Sequence, residues 1–246
     1  MLIKSLKADF LKIRGLPIAV AHIVIPVIIS GLFLAYYSIS GWNENLKIIA
    51  FYQTIGAGFP VLIGIFTASI MEQEQNAGGC QNMLTLRRKI VAFSSKVILL
   101  LGLGLFSVLL TSVIFGFGFC KILGSTVEVK TFIVAALVTW AGSIPLYIWQ
   151  MFLAFRCGKG ISIGAGIVSG LIGALMLTNL GEFVWKYIPF SWTGRMPYTY
   201  LQTALREPAG MYRIEDVMPI FFVVTVASMI GYLFWASHWE GSKVLE

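Results

Sequence analysis

The chain has 246 residues, of which 58% are hydrophobic and only 12% are charged, and its mean hydropathy is +0.85. Soluble domains carry roughly 45–50% apolar and about 25% charged residues, so the composition excludes a water-soluble globule and indicates a membrane protein. The net charge of +7 comes from Lys and Arg in short tracts between apolar segments, as in membrane proteins, which argues against nucleic acid as a partner.

The first 15 residues predict an interfacial helix. At about 100° per residue, one face is apolar and the cations lie mostly opposite. The apolar residues are Leu2, Ile3, Leu6, Phe10 and Ile13. Such a helix lies in the headgroup layer, with its cations near anionic lipids. A basic terminus that only sets the topology is the alternative.

Six segments are long and apolar enough to cross a bilayer, which takes about 20 residues per helix. They are residues 16–37, 48–71, 97–119, 131–155, 161–180 and 217–235. We therefore predict an all-α membrane protein with six transmembrane helices and both termini on one side. The first segment lacks a signal-peptide pattern and is expected to be retained.

The distribution of Lys and Arg predicts the orientation. Eleven of the eighteen lie on the side of the termini, and four of the other seven lie in one longer loop that also carries acidic residues. The short loops therefore favour cytoplasmic termini. Inside the spans the polar exceptions are mild, namely His22, Gln53, Gln150 and Asn179. We expect them to be interhelical hydrogen-bonding or interfacial groups and not substrate ligands, and a proton-driven transporter is disfavoured because it needs intramembrane charge.

Small residues in the fifth span predict close helix packing. Gly166 and Gly170 form a GxxxG pattern, which lets a second helix approach closely. Neither the three cysteines nor the two histidines are spaced as metal ligands, so no metal site is expected.

Two loops exceed what a connection needs. Residues 72–89 run from acidic residues through Gly78-Gly79 to a basic cluster, which suits a short helix presented to a cytoplasmic partner. A solvated connector is the equal alternative. Residues 181–216 are rich in Trp, Tyr and Pro, which favours a segment at the outer headgroup level that caps the bundle or binds an amphiphile.

At these two loops the chain resembles the permease subunits of ABC-2 type exporters, and among them the lantibiotic immunity permeases of the EpiG/MutG kind. The resemblance rests on residues 72–82, EQEQNAGGCQN, and on Ile188-Pro189-Phe190-Ser191-Trp192 with Arg195. The six-span layout, which covers the whole chain as one domain, agrees with it. Phe190 departs from the Pro-Trp-x-Trp pattern expected in this family.

The resemblance implies a permease subunit of the bacterial cell membrane that expels a cationic antimicrobial peptide and has no catalytic residues of its own. ATP and Mg²⁺ would be bound by a cytoplasmic ATPase subunit, expected in two copies, and the other partners would be a second related permease, membrane lipids and the lantibiotic. The residues expected to contact the ATPase are Glu72, Glu74, Gly78 and Gln81. Those expected to contact the ligand or the outer leaflet are Trp185, Pro189, Trp192 and Arg195.

The chain contains no GxxxxGK[ST] motif, so it is not expected to cradle phosphates alone. An ABC-2 exporter subunit for another drug, lipid or peptide remains the alternative within the same class. A membrane-embedded enzyme or a channel represents a different class, but an enzyme would need a clustered catalytic constellation, and the close acidic pairs, Glu72 with Glu74 and Glu215 with Asp216, lie outside the spans.

Overall fold

The computed structural model describes residues 2–85 and 89–241, without the side chains of Asn82 and Leu84. The described chain is helical throughout, with short connections. Its helices are α1 (Leu2–Ile13), α2 (Pro17–Ile39), α3 (Glu44–Asn76), α4 (Gln81–Leu84), α5 (Lys89–Ile122), α6 (Val129–Cys157), α7 (Lys159–Met176), α8 (Trp192–Ala204) and α9 (Ile214–Ser237). Outside the described residues lie three of the cations counted for the orientation, Arg87, Arg88 and Lys243, and residue 86 of the loop at 72–89.

Six of the described helices, α2, α3, α5, α6, α7 and α9, are long and apolar enough to span a membrane. The prediction of an all-α membrane protein with six spans is thus confirmed. Local signals set the helix ends: Pro17 opens α2, and the side chain of Asn43 accepts a hydrogen bond from the backbone N–H of Leu46 at the start of α3, satisfying a donor that the first helical turn leaves free. Gly158, with φ at +92°, separates α6 from α7.

Helix α1 packs along α5 and turns part of its predicted apolar face into the bundle, so the prediction that this face lies toward the membrane is wrong for Ile13. Ser5, Asp9 and Ile13 face the bundle, whereas Ile3 and Phe10 are 70% and 53% exposed. The helix therefore presents three sides: a bundle-facing side, a cationic side and an apolar side left free for the membrane.

The tightest pair in the bundle is α3 with α7. A Cβ added at Gly166 would lie 3.1 Å from Gly64 Cα, and one added at Gly170 would lie 2.9 Å from the carbonyl oxygen of Ala57. Small residues on both helices thus allow the two backbones to approach closely. The hydroxyls of Thr67 and Ser162, 3.1 Å apart, join the same two helices.

After α7, three 3₁₀ turns between residues 179 and 191 lead into α8. Helix α8 packs against both α3 and α6. The Thr193 hydroxyl donates to the carbonyl oxygen of Gly56 at 2.7 Å, and a Cβ at Gly142 would lie 2.9 Å from the Trp192 carbonyl carbon. Part of the segment after α7, helix α8, therefore packs between the spans α3 and α6, so the segment is not a surface loop throughout.

Candidate functional site

A buried cluster of charges joins three helices on the side of the bundle that carries the termini. Lys96 Nζ, from α5, donates to Asp9 Oδ1 of α1 at 2.9 Å and to Glu74 Oε1 of α3 at 2.7 Å. Lys12 Nζ donates to the same Glu74 oxygen at 2.6 Å. We call Asp9, Lys12, Glu74 and Lys96 the ion cluster; its two cations balance its two carboxylates.

The hydrogen bonds around the ion cluster fix its geometry. The Ser95 hydroxyl donates to Asp9 Oδ2 at 2.5 Å, and Gln73 Nε2 donates to the backbone carbonyl of Lys12 at 2.9 Å. Asp9, Glu74 and Lys96 are each at most 6% exposed. Because a buried charge without its partner is strongly destabilising, the cluster holds the end of α3 and the start of α5 against α1.

The segment that connects α3 to α5 projects from this cluster. Gly78, Gly79 and Cys80 have φ values of +118°, +61° and +63°, a left-handed run that reverses the chain into α4. Cys80 is buried, and burial, followed by the nearby charge of Glu74, raises the pKa of its thiol. Gly78 and Gln81 are exposed, so the tip of the connection is accessible.

The residues expected to contact an ATPase fall into two groups. Gly78 and Gln81 lie on the exposed tip, and Glu72 is half-exposed and paired at 2.8 Å with Lys159 at the start of α7. Glu74, by contrast, is 2% exposed inside the ion cluster. Its carboxylate supports the connection from within and is not on the surface that a partner would touch.

Three members of the ion cluster, Asp9, Lys12 and Lys96, were not recognised from the sequence as site residues, and Lys12 was interpreted only as a cation of the interfacial helix. Asp9 is an acidic residue in an otherwise basic amphipathic helix, three residues before Lys12, and this irregularity was the available signal. Lys96 was counted only as a cation that sets the topology. The structure places it two turns inside α5, where its charge meets both carboxylates.

At the opposite end of the bundle, Arg195 holds together residues 177–211, which we call the outer segment. Its Nη1 donates to Glu182 Oε2 and its Nη2 to the carbonyl oxygen of Thr178, both at 2.8 Å, and its Nε donates to the carbonyl oxygen of Met176. Glu182 also accepts from the backbone N–H of Met211. That bond, together with Arg195, lowers the pKa of the Glu182 carboxyl.

The expected ligand-contacting residues are mostly inside this outer segment. Trp185, Trp192 and Arg195 are at most 3% exposed, because they fill the space between the turns and α8, and only Pro189 is partly exposed. In this structure the three buried side chains do not face the outer leaflet. The geometry supports the capping role for them, and the exposed aromatic residues of the segment are Phe183 and Tyr187.

Between the two ends lies an apolar cleft of about 430 Å³, bounded by α2, α3, α5 and α6. It exists because α2 packs along α5 and barely touches α3. The cleft extends from Ala21 and Phe66 on the side of the termini to Phe33 and Thr54. Twelve residues on each helix correspond to about 18 Å. Thr54 and Gly58 on its rim are exposed, so the cleft is open to the surroundings of the bundle.

His22 forms the wall at the termini-side end of the cleft. Its ring stacks on Phe66 with a centroid distance of 4.1 Å, and Nδ1 lies 2.7 Å from the carbonyl oxygen of Ile18. Nε2 is buried and has no partner among the described residues. The sequence predicted an interhelical hydrogen bond or an interfacial position for His22, and in the structure its Nδ1 bonds within its own helix.

The fold thus defines a multi-pass, all-α membrane protein. Compared with known proteins, the chain matches no protein-family model and no curated sequence.

Proposed function

We propose that the chain is the membrane-spanning subunit of an ABC exporter that expels a lantibiotic, a cationic amphiphilic peptide, from the bacterial cell membrane. The ATP and Mg²⁺ are bound by a separate cytoplasmic ATPase present in two copies, and a second related permease completes the complex. Both termini are cytoplasmic in this proposal. The chain itself is a transporter subunit and not an enzyme.

The observation that carries the proposal is the exposed connection between α3 and α5, braced by the buried ion cluster. A connector that only joins two helices needs no such support. Here the ion cluster joins α1, α3 and α5 next to the connection. The ion pair of Glu72 with Lys159 adds a contact with α7. A push on the exposed tip is therefore delivered to several helices at once, as coupling to an external ATPase requires.

The apolar interior is consistent with an amphiphilic substrate. Burying an unpaired charge inside the bundle is costly, and the cleft is lined mainly by apolar side chains. A peptide that keeps its charged groups at the headgroup level and its apolar groups in the membrane does not need a charged tunnel. Another drug, lipid or peptide with the same amphiphilic character is the second candidate substrate.

The coupling role can be tested by blocking the tip without touching the ion cluster. Ala77 is exposed at the end of α3, so Ala77→Trp should leave folding intact but obstruct docking. We expect loss of co-purification with the co-encoded ATPase and loss of peptide-stimulated ATP hydrolysis in liposomes. The matched control is Ala209→Trp, the same change at an exposed position on the opposite side, which should keep the ATPase bound. Full assembly of the Ala77→Trp protein would remove this connection from the mechanism.

The substrate is tested separately with the purified complex. A lantibiotic added to liposomes that contain the complex should stimulate ATP hydrolysis, and cells that carry the complex should survive the peptide better than cells without it. ATP hydrolysis that responds to other amphiphiles but not to the peptide would favour the second candidate substrate.

A further inference from the structure

The unpartnered nitrogen of His22 is the feature of the cleft that calls for a ligand. The structure describes only two buried side-chain polar atoms without a hydrogen-bond partner, and His22 Nε2 is one of them. The residue is 2% exposed and lines the cleft, but Nε2 itself is covered by protein atoms, so a ligand group reaches it only after a small displacement of the side chains around the ring. A buried polar group without a partner is unfavourable, so a bound molecule that reaches Nε2 would gain from pairing with it.

The hydrogen bond of the other ring nitrogen determines which chemistry fits. The carbonyl oxygen of Ile18, 2.7 Å from Nδ1, can only accept a hydrogen bond, so Nδ1 carries the proton. In the neutral ring, Nε2 then has a free lone pair and acts as an acceptor. The matching ligand group is a donor, such as a hydroxyl, and an ester or ether oxygen does not fit.

The rest of the cleft accepts an apolar chain. The hydroxyls of Thr54, Ser107 and Thr111 already donate to main-chain carbonyl oxygens, whereas that of Tyr147 packs against Gly104 and has no hydrogen bond within the described residues. An extended peptide in the cleft would bring backbone N–H and C=O groups with few partners, which is costly in an apolar site, whereas an acyl chain brings none.

The position of His22 in α2 suits a lipid hydroxyl, which lies at the headgroup end of the acyl chains. His22 lies five residues after the start of α2, and therefore about 8 Å into that helix, near the boundary between headgroups and acyl chains. The cleft continues from there toward the opposite side for about 18 Å.

We propose that the cleft binds the acyl chain of a membrane lipid such as diacylglycerol, which has a free hydroxyl group on the glycerol that carries its acyl chains. His22 Nε2 accepts a hydrogen bond from this hydroxyl. The lipid keeps α2 and α3 apart. This site does not depend on the ATPase or on the peptide. Its test can therefore fail while the proposed transport function holds, and the transport function can fail while the lipid site holds.

The test compares two photoactivatable lipids on the purified full chain in phosphatidylcholine vesicles. One is diacylglycerol with a diazirine in its acyl chain, and the other is its 3-O-methyl ether, which lacks the donor. After illumination, mass spectrometry should locate the diacylglycerol label on the cleft segments of α2 and α3. Labelling by the methyl ether should be about fivefold weaker, the effect of one hydrogen bond.

Two glycine variants show where the lipid lies. Gly58 lines the cleft and Gly102 lines a separate open groove along α1 that also touches His22; an added Cβ meets no atom within 4 Å at either position. Gly58→Leu should abolish the labelling and Gly102→Leu should preserve it. His22→Phe keeps an aromatic ring against Phe66 but removes the acceptor, so both lipids should then label equally.

Three results would overturn the proposal: equal labelling by both lipids in the wild-type chain, unchanged labelling in Gly58→Leu, or loss of labelling in Gly102→Leu alone. A photoactivatable amphiphilic peptide that labels the cleft, where the lipid does not, would assign the cleft to a peptide instead.

Discussion

At the scale of single residues, the ion cluster has an unusual balance of cost and benefit. Three of its four charges, those of Asp9, Glu74 and Lys96, are buried at a cost, and replacement of a whole buried pair by apolar groups is often neutral or favourable. The pairs are therefore better explained by the geometry they impose on α1, α3 and α5 than by the stability they add. This distinction can be measured, because removal of one partner and removal of both have different consequences.

Lys96→Met should destabilise the purified protein by about 3–5 kcal/mol, since it leaves the buried carboxylates of Asp9 and Glu74 with only the exposed Lys12 as partner. Asp9→Asn should cost less, because Lys96 keeps its ion pair with Glu74. The double variant leaves the neutral pair of Glu74 with Lys12, and it should be more stable than the sum of the single effects predicts. Thermal unfolding in detergent measures all three. Strictly additive losses would mean that Asp9 and Lys96 do not interact.

Glu182 predicts an acid sensitivity of the outer segment. Its carboxyl has a pKa below the usual 4.5 because it accepts from Met211 N–H and pairs with Arg195. A lowered pKa in the folded state means that the stabilisation is complete above about 4.5 and is lost as the pH falls through the folded-state pKa. Limited proteolysis of the segment should therefore accelerate in acid.

The control for the acid effect is Glu182→Gln, which should be cleaved readily at neutral pH and change little on acidification. A wild-type segment that resists the protease equally at both pH values would contradict the assignment.

At the scale of helices, the contact between α3 and α7 depends on glycines that leave no room for a side chain. A Cβ at Gly64 would lie 2.8 Å from the carbonyl oxygen of Ser162 and 3.0 Å from Gly166 Cα, so the backbones would have to separate. Gly164, on the same helix as Gly166, has open space around its Cβ position and is the matched comparison.

Gly64→Leu should lower the free energy of unfolding by about 1–3 kcal/mol or more, because about 1–3 kcal/mol is the typical cost of overpacking a tight interior. Gly164→Leu should have little effect, since the added side chain points into free space. The midpoints of thermal unfolding, followed by tryptophan fluorescence, compare the two. Equal midpoints would show that the close approach is not needed.

The helices were predictable from sequence because their signal is local. Runs of about 20 apolar residues located all six spans, although α3, α5, α6 and α9 extend beyond the predicted segments at both ends and α7 ends at Met176, before the predicted residue 180. The GxxxG at Gly166 and Gly170 indicated close packing, but not that α3 would be the partner. A span pattern specifies which helices exist, and the choice of neighbours depends on contacts between residues far apart in the chain.

The candidate site was less predictable for the same reason. Asp9, Glu74 and Lys96 belong to three separate segments, and only the packed bundle brings them together. Trp185 and Trp192 have the composition of an interfacial belt, so the sequence favoured the outer leaflet for them. They are buried because residues 181–204 fold back on the bundle, which no local pattern in that segment indicates.

At the scale of the whole molecule, the topology can be tested directly. The excess of Lys and Arg predicts that the termini and the connection between α3 and α5 are cytoplasmic. Reporters inserted at Gly78 or fused after residue 241 should be active as cytoplasmic reporters, and one inserted at Gly124, between α5 and α6, should be active outside the cell. A reporter at Gly78 that is active outside would end the ATPase-coupling proposal.

The difference in length between α3 and α7 has a consequence for the surrounding bilayer. Both helices meet at the Glu72–Lys159 pair, but from there α7 runs for its 18 residues, about 27 Å, whereas α3 runs back from Glu72 to Glu44, about 42 Å. The polar side chains of Arg195 and Glu182, which follow α7, therefore lie short of the far end of α3. Since the hydrocarbon core is about 30 Å thick and lipids adapt to short spans by local thinning, the membrane beside α7 should be indented, which shortens the path from the inner leaflet to the medium on that side.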